Sequence, residues 1–201
     1  MKAPGSTPSY FDDFRAAKAL RDEALSWLDT PFRQHYQELY EAGKAELAKI
    51  RPGARSDLKG KRGGIDCIGL VQEIFTRIGA TNKWMFPRTH ADYQSHQLGE
   101  KVLDWFRGKA DDPQSKLLAQ LFVELEIPPA VIDRDASTPR DFFKPGDILV
   151  MKHGSLFHMP VMVDRDLHFV NALPRLGVVE GTIQDSSYSV HLVAAFRLKP
   201  K

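Results

Sequence analysis

A single cysteine, Cys67, stands in 201 residues. No intramolecular disulfide and no paired-cysteine metal or redox motif can form. The opening MKAPGSTPSYFDDF lacks the apolar core of a secretory leader, and no apolar run reaches membrane-spanning length. The expectation is a reduced, cytoplasmic protein as synthesised. A formal net charge of +2 is too weak a bias to imply nucleic acid. The longest basic cluster, RPGARSDLKGKR at Arg51–Arg62, is broken by Asp57 and rich in loop formers, so it reads as a solvated loop. His35, His90, His96, His153 and His191 share no metal-ligand spacing, and neither a metal nor a cofactor is expected.

What is present changes character along the chain. Arg15–Asp29 puts Leu20, Ala24, Trp27 and Leu28 on one helical face, with Asp12 or Asp13 able to cap it. Pro31 breaks this run, Arg33–Ile50 resumes it with an interruption at Gly43, and Pro52–Gly64 reads as loop. The strongest helix signal is GGIDCIGLVQEIFTRIG at 63–79, with Asp66 as N-cap, Gly79 closing the end, and Val71, Ile74, Phe75 and Ile78 in one stripe. Two more helices are expected over Leu98–Gly108 and Pro113–Glu126, the second capped by Asp112. From Gly146 the period becomes two, and residues 147–151, 158–164, 167–173, 177–183 and 190–198 read as five strands. Helices followed by a strand meander indicate an α+β fold. The expectation is one domain over 1–201 with a helical insertion at about 80–144, part of 84–127 walling a cleft.

Cys67 falls on the first turn of its helix, where unpaired N–H groups and the helix dipole favour a thiolate. The glycines at 63 and 64 leave room for close approach, and the same N–H groups can meet a developing oxyanion. A thiolate nucleophile needs a base and an orienter. His158 and His168 each open an expected strand. A two- or four-residue hairpin loop sets Pro160 opposite Asn171 and Val163 opposite His168, so His158, Pro160 and Asn171 share a face. A three-residue loop would instead bring His168 beside His158.

Four blocks carry a family resemblance: WLDTPFR at 27–33, GGIDCIGLVQEIF at 63–75, KPGDILVM at 144–151 and HMPVMVDRDLHFVNALPRLGVVEG at 158–181. Together they resemble the NlpC family of papain-like cell-wall cysteine peptidases. The resemblance implies a papain-like fold with the nucleophile helix packed on a five-stranded antiparallel sheet. It implies Cys67 as nucleophile, His158 as base and Asn171 as the orienting third member, with Phe32, Asp66 and Ile68 near the substrate. The implied reaction cleaves a peptidoglycan stem peptide at the D-glutamyl–diaminopimelate bond, without cofactor, metal, nucleic acid or membrane. Delivery to the wall would then need phage-tail or secretion-system components. Two residues depart from the pattern: Pro160 replaces a common glycine, and Phe32 replaces a common tyrosine. Other classes compatible with the same residues are a non-catalytic tail or secretion module and an amidase or acyltransferase acting on another amide.

Overall fold

Short polar side chains mark where the helices begin. The computed structural model describes residues 6–33, 64–82, 98–127, 142–153, 156–183 and 191–201. Ser9 and Asp12 form a reciprocal capping box around a 3-10 turn at Tyr10–Asp12. Asp13 then accepts the Ala16 N–H at 2.9 Å and starts α1, Phe14–Leu25. This helix stops four residues short of the expected Asp29: Trp27, Leu28 and Asp29 lie in a chain of turns, and Asp29 sits at φ 64. Trp27 is nevertheless fully buried, its Nε1 donating to Glu23 at 3.0 Å. Helix α2, Cys67–Arg77, is capped by Asp66 and leads to Gly79 at φ 68. Helix α3 covers Leu98–Phe106, and α4 covers Pro113–Leu121, capped by Asp112 with proline at the first helical position. The expected Arg33–Ile50 helix, nearly all of the Pro52–Gly64 loop and the Arg51–Arg62 cluster lie outside the described residues.

The expected helix through Glu126 is corrected by the structure. It ends at Leu121, and Phe122–Glu124 forms strand β1, paired antiparallel with the end of the last strand. Tertiary context decides this. The Phe122 ring meets Phe106 at 5.2 Å and Phe75 at 6.0 Å between centroids, while the backbone joins a ladder that continues to the Leu125 N–H. The 80–144 segment therefore supplies a sheet strand besides its two described helices.

The remaining strands are β2 Ile148–His153, β3 Leu156–His158, β4 Val161–Met162, β5 His168–Leu173, β6 Gly177–Thr182 and β7 His191–Leu198. All pairings between them are antiparallel, in the order β1-β7-β2-β4-β5-β6, with β3 also paired to β2. Among the described residues the sheet thus has seven strands, not five. One addition is β1; the other comes from splitting the expected 158–164 strand. Met151 faces His158 and Ile148 faces Val161, so the register against β2 is the same on both sides of the break. Pro160 causes the break: the Leu149 N–H donates to its carbonyl at 2.9 Å, but proline has no N–H to return the bond. His158 therefore ends a strand and does not open one.

Both faces of the sheet are covered. On one side Leu70, Val71, Ile74 and Phe75 of α2 join Ile148, Val150, Val161, Val170 and Phe196 in the larger core. On the other, Leu149, Met151, Met162 and Phe169 pack with Leu125, Phe142 and Phe143. Arg197 of β7 and Asp147 ahead of β2 are fully buried and joined by two hydrogen bonds, at 2.8 and 2.7 Å. Arg197 also donates to the carbonyls of Thr7 and Phe142, and Asp147 accepts the Lys144 N–H. Burial pushes the Asp147 carboxyl up, and the guanidinium and that N–H pull against the rise. Removing one member leaves the other buried and unmatched. Arg197→Met is expected to cost about 3–5 kcal/mol, read as a lowered urea midpoint, with much of the loss recovered in Arg197→Met/Asp147→Leu. A loss of only about 0–1 kcal/mol, typical of a surface pair, would contradict this.

Candidate active site

The start of α2 is held in place by backbone pairing with the segment that follows α1. Ile65 donates to the Pro31 carbonyl at 2.9 Å, and Arg33 donates to the Ile65 carbonyl at 3.1 Å, forming a parallel bridge between Phe32 and Ile65. Gly64 makes this approach possible: it sits at φ 79, and a Cβ there would fall 2.5 Å from the Arg33 side chain. The same strap reaches the sheet, because Asp29 donates to the Val178 carbonyl and Val178 donates to that of Thr30. Asp66 is buried, and its carboxylate accepts the Gly69 N–H at 2.7 Å. The Leu70 N–H bonds to the Asp66 carbonyl. Cys67, half-buried, is the first residue of the helix so fixed.

Cys67 opens onto a small cleft with room for about one water molecule. Ile68 lies beside it, Gly99 and Val102 of α3 form one wall, and Val150, Phe157 and Met159 come from the strand layer. Phe157 and Met159 are the two neighbours of His158 in the chain. Alternation along the segment therefore turns His158, opposite Met151 in the ladder, to the face away from the cleft. Gly99 and Val102 bring the 84–127 segment to this cavity. Of the residues expected near a substrate, Ile68 lines the cleft, Asp66 is engaged as the helix cap, and Phe32 is half-buried in the strap leading to the helix.

The β4–β5 hairpin has the parity that brings Asn171 toward His158. Val161 faces Val170 and Met162 faces Phe169, and the Val163 N–H donates to the His168 carbonyl. Four residues, 164–167, close the loop. Asp164 builds it by accepting the Asp166 and His168 N–H groups, and Leu167 takes the left-handed φ of 68. Because the β2 register is unbroken across Pro160, the same alignment carries on to set Pro160 opposite Asn171 and His158 diagonal to it. Asn171 is 2% exposed, and its Oδ1 accepts no hydrogen bond from the described residues; Nδ1 of His158 is likewise sealed from solvent. His168 alternates to the other face, where its Nδ1 lies 2.8 Å from Asp164 Oδ2. The loop, not the cleft, occupies that imidazole.

Gly99, Val150, Phe157 and Met159 were not singled out from the sequence. Gly99 carried the one readable signal: a glycine inside a helical run marks a close approach. The other three read only as strand alternation. Among the described residues, no three His, Cys, Asp or Glu side chains converge as metal ligands. Compared with known proteins, no protein-family model matches the chain and no curated protein matches it.

A cysteine heading a capped helix is expected to react as a thiolate below neutrality. Iodoacetamide should modify Cys67 at pH 6 well above the rate of a free thiol, followed by intact mass. A profile that rises only above pH 8 would mark an unactivated side chain.

Proposed function

We propose that this chain is a papain-like cysteine hydrolase that cleaves an amide bond in the peptide stems of bacterial peptidoglycan. One observation carries the reading: Cys67 heads α2, whose first turn is fixed by the Asp66 cap beside a small cleft, and the roles of His158 and Asn171 come from the resemblance. The choice of stem peptide, and of its D-glutamyl–diaminopimelate bond, comes from the resemblance to NlpC peptidases. On that reading the vehicle to the wall is a phage tail or a secretion machine.

The chemistry follows from these roles. His158 takes the Cys67 proton, and the thiolate attacks the carbonyl carbon, forming a C–S bond and an oxyanion beside the first N–H groups of α2. Collapse breaks the C–N bond, and the imidazolium gives its proton to the leaving amine. Water, deprotonated by the same imidazole, then attacks the thioester; the C–S bond breaks and the proton returns to sulfur. Asn171 Oδ1 would accept from Nδ1–H throughout, holding Nε2 toward the thiol. A second reading, an amidase or acyltransferase using the same residues, draws on the apolar lining of the cleft.

Mass spectrometry of defined muropeptides should show cleavage by the wild type and none by Cys67→Ala; intact substrate with both would overturn the wall-peptidase reading. Asn171→Ala is expected to lower kcat/KM by about tenfold or more, the order of an orienting contribution to acid–base catalysis. His168→Ala should leave it within about twofold, since that ring serves the hairpin loop. The reverse ranking would assign the third role to His168.

A further inference from the structure

The Cys67 cleft is too small to take a substrate side chain. It has room for about one water molecule, and apart from Cys67 none of the residues lining it is ionisable. Whatever flanks a scissile amide at Cys67 must therefore lie outside, across the mouth. The charges set around that mouth decide which flanking groups gain there.

Phe157 lines the cleft and is only half-buried. Gly99 of α3 rests on its ring, where a Cβ would lie 2.1 Å from Cγ. Directly opposite Phe157 in the β2–β3 ladder stands Lys152, so both side chains leave the sheet on the cleft face. The Lys152 ammonium lies 5.6 Å from the ring centroid, within cation–π range. This contact restrains a long side chain and sets its charge one ring away from the cleft. Lys152 is exposed, and it meets no carboxylate among the described residues. The charges of α3 do not compete with it. Glu100 and Lys101 are exposed between Gly99 and Val102, and helical spacing turns both away from the face that lines the cleft.

We infer that Lys152 is a specificity-determining residue that takes a substrate carboxylate at the mouth of the Cys67 cleft. The inference rests on the hydrolase reading for the identity of that carboxylate. A glutamyl residue joined to diaminopimelate through one carboxyl keeps its other one free. The preferred substrate is then a stem peptide with that carboxylate free, over the same stem with a carboxamide there. An exposed ammonium–carboxylate contact is modest and salt-sensitive. Lys152 therefore ranks substrates and takes no part in bond breaking.

Because Cys67 is the only cysteine, iodoacetate and iodoacetamide read the charge beside it in the whole chain. Each alkylation rate is divided by that of the same reagent with 2-mercaptoethanol. The acetate-to-acetamide ratio is then compared for wild type, Lys152→Met and Lys152→Arg, each shown to be folded by near-ultraviolet circular dichroism. The dipole of α2 favours iodoacetate in all three and cancels. The ratio is expected to fall about threefold in Lys152→Met, the scale of one exposed charge, and to return in Lys152→Arg. The fall should shrink in about 0.5 M salt. Equal ratios in wild type and Lys152→Met would overturn the inference. So would a ratio as low in Lys152→Arg as in Lys152→Met, since packing on Phe157 and not charge would then be responsible. With muropeptides, wild type should favour the free glutamyl carboxylate over its carboxamide through KM, and Lys152→Met should lose that preference. No preference in wild type, or one that Lys152→Met leaves unchanged, would also overturn it. The two readings fail separately. Intact muropeptides with the Lys152-dependent alkylation ratio present would sink the hydrolase and leave the anion contact. Cleavage of both peptides without discrimination would do the opposite.

Discussion

The buried ion pair between Arg197 and Asp147 is the constraint from which the arrangement of the other parts follows. A guanidinium and a carboxylate can sit in a core only when nearly every donor and acceptor is matched. Matching these two recruits three stretches of chain: the N-terminal segment through the Thr7 carbonyl, the turn before β2 through Phe142 and Lys144, and the last strand itself. Lys144 adds a second tie, from its ammonium to Thr7 and to Asp12 in the capping box. The capping box brings Phe11 onto Gly146, where any side chain would collide with the ring. One charged pair thereby orients the start of β2.

From β2 the order spreads to the cleft by ladder geometry alone. Val150 supplies its floor, and Phe157 follows from the pairing of β3 with β2. The thiol arrives by a different route, through the strap that joins α1 to α2 and is stitched to Val178 on β6. Rigid backbone pairing therefore supports both sides of the cleft. Side-chain positions held in this way are the kind on which a site needing sub-ångström placement can be built.

Much of this was legible in the sequence, and the parts that were not have physical causes. Helix starts were readable because Asp13, Asp66 and Asp112 cap by local chemistry. The hairpin register was readable because Asp164 closes a four-residue loop whose parity decides every face along β5. The helix-to-strand change at Phe122 was hidden, since a nine-residue helix followed at once by three paired residues leaves no local punctuation. The seven-strand count was missed for that reason and because Pro160 interrupts a strand without shifting its register. At the site, Cys67 and its cap were visible as local pattern. The cleft walls from α3 and β3 were not, because they depend on how distant segments pack. The Gly99–Phe157 contact joins residues that no periodicity relates.

The sheet order has a bearing on how the molecule comes into being. β7 is the last described strand to leave the ribosome, yet it lies between β1 and β2. While the chain is growing, β2 to β6 can pair among themselves as each emerges, but β1 must wait without a neighbour, and Asp147 without its arginine. Helix α2 would then rest on a half-assembled layer until residue 197 is exposed. Such long-range closure is slow in folding. It also means that the Cys67 end of α2 gains its finished surroundings only after translation is nearly complete.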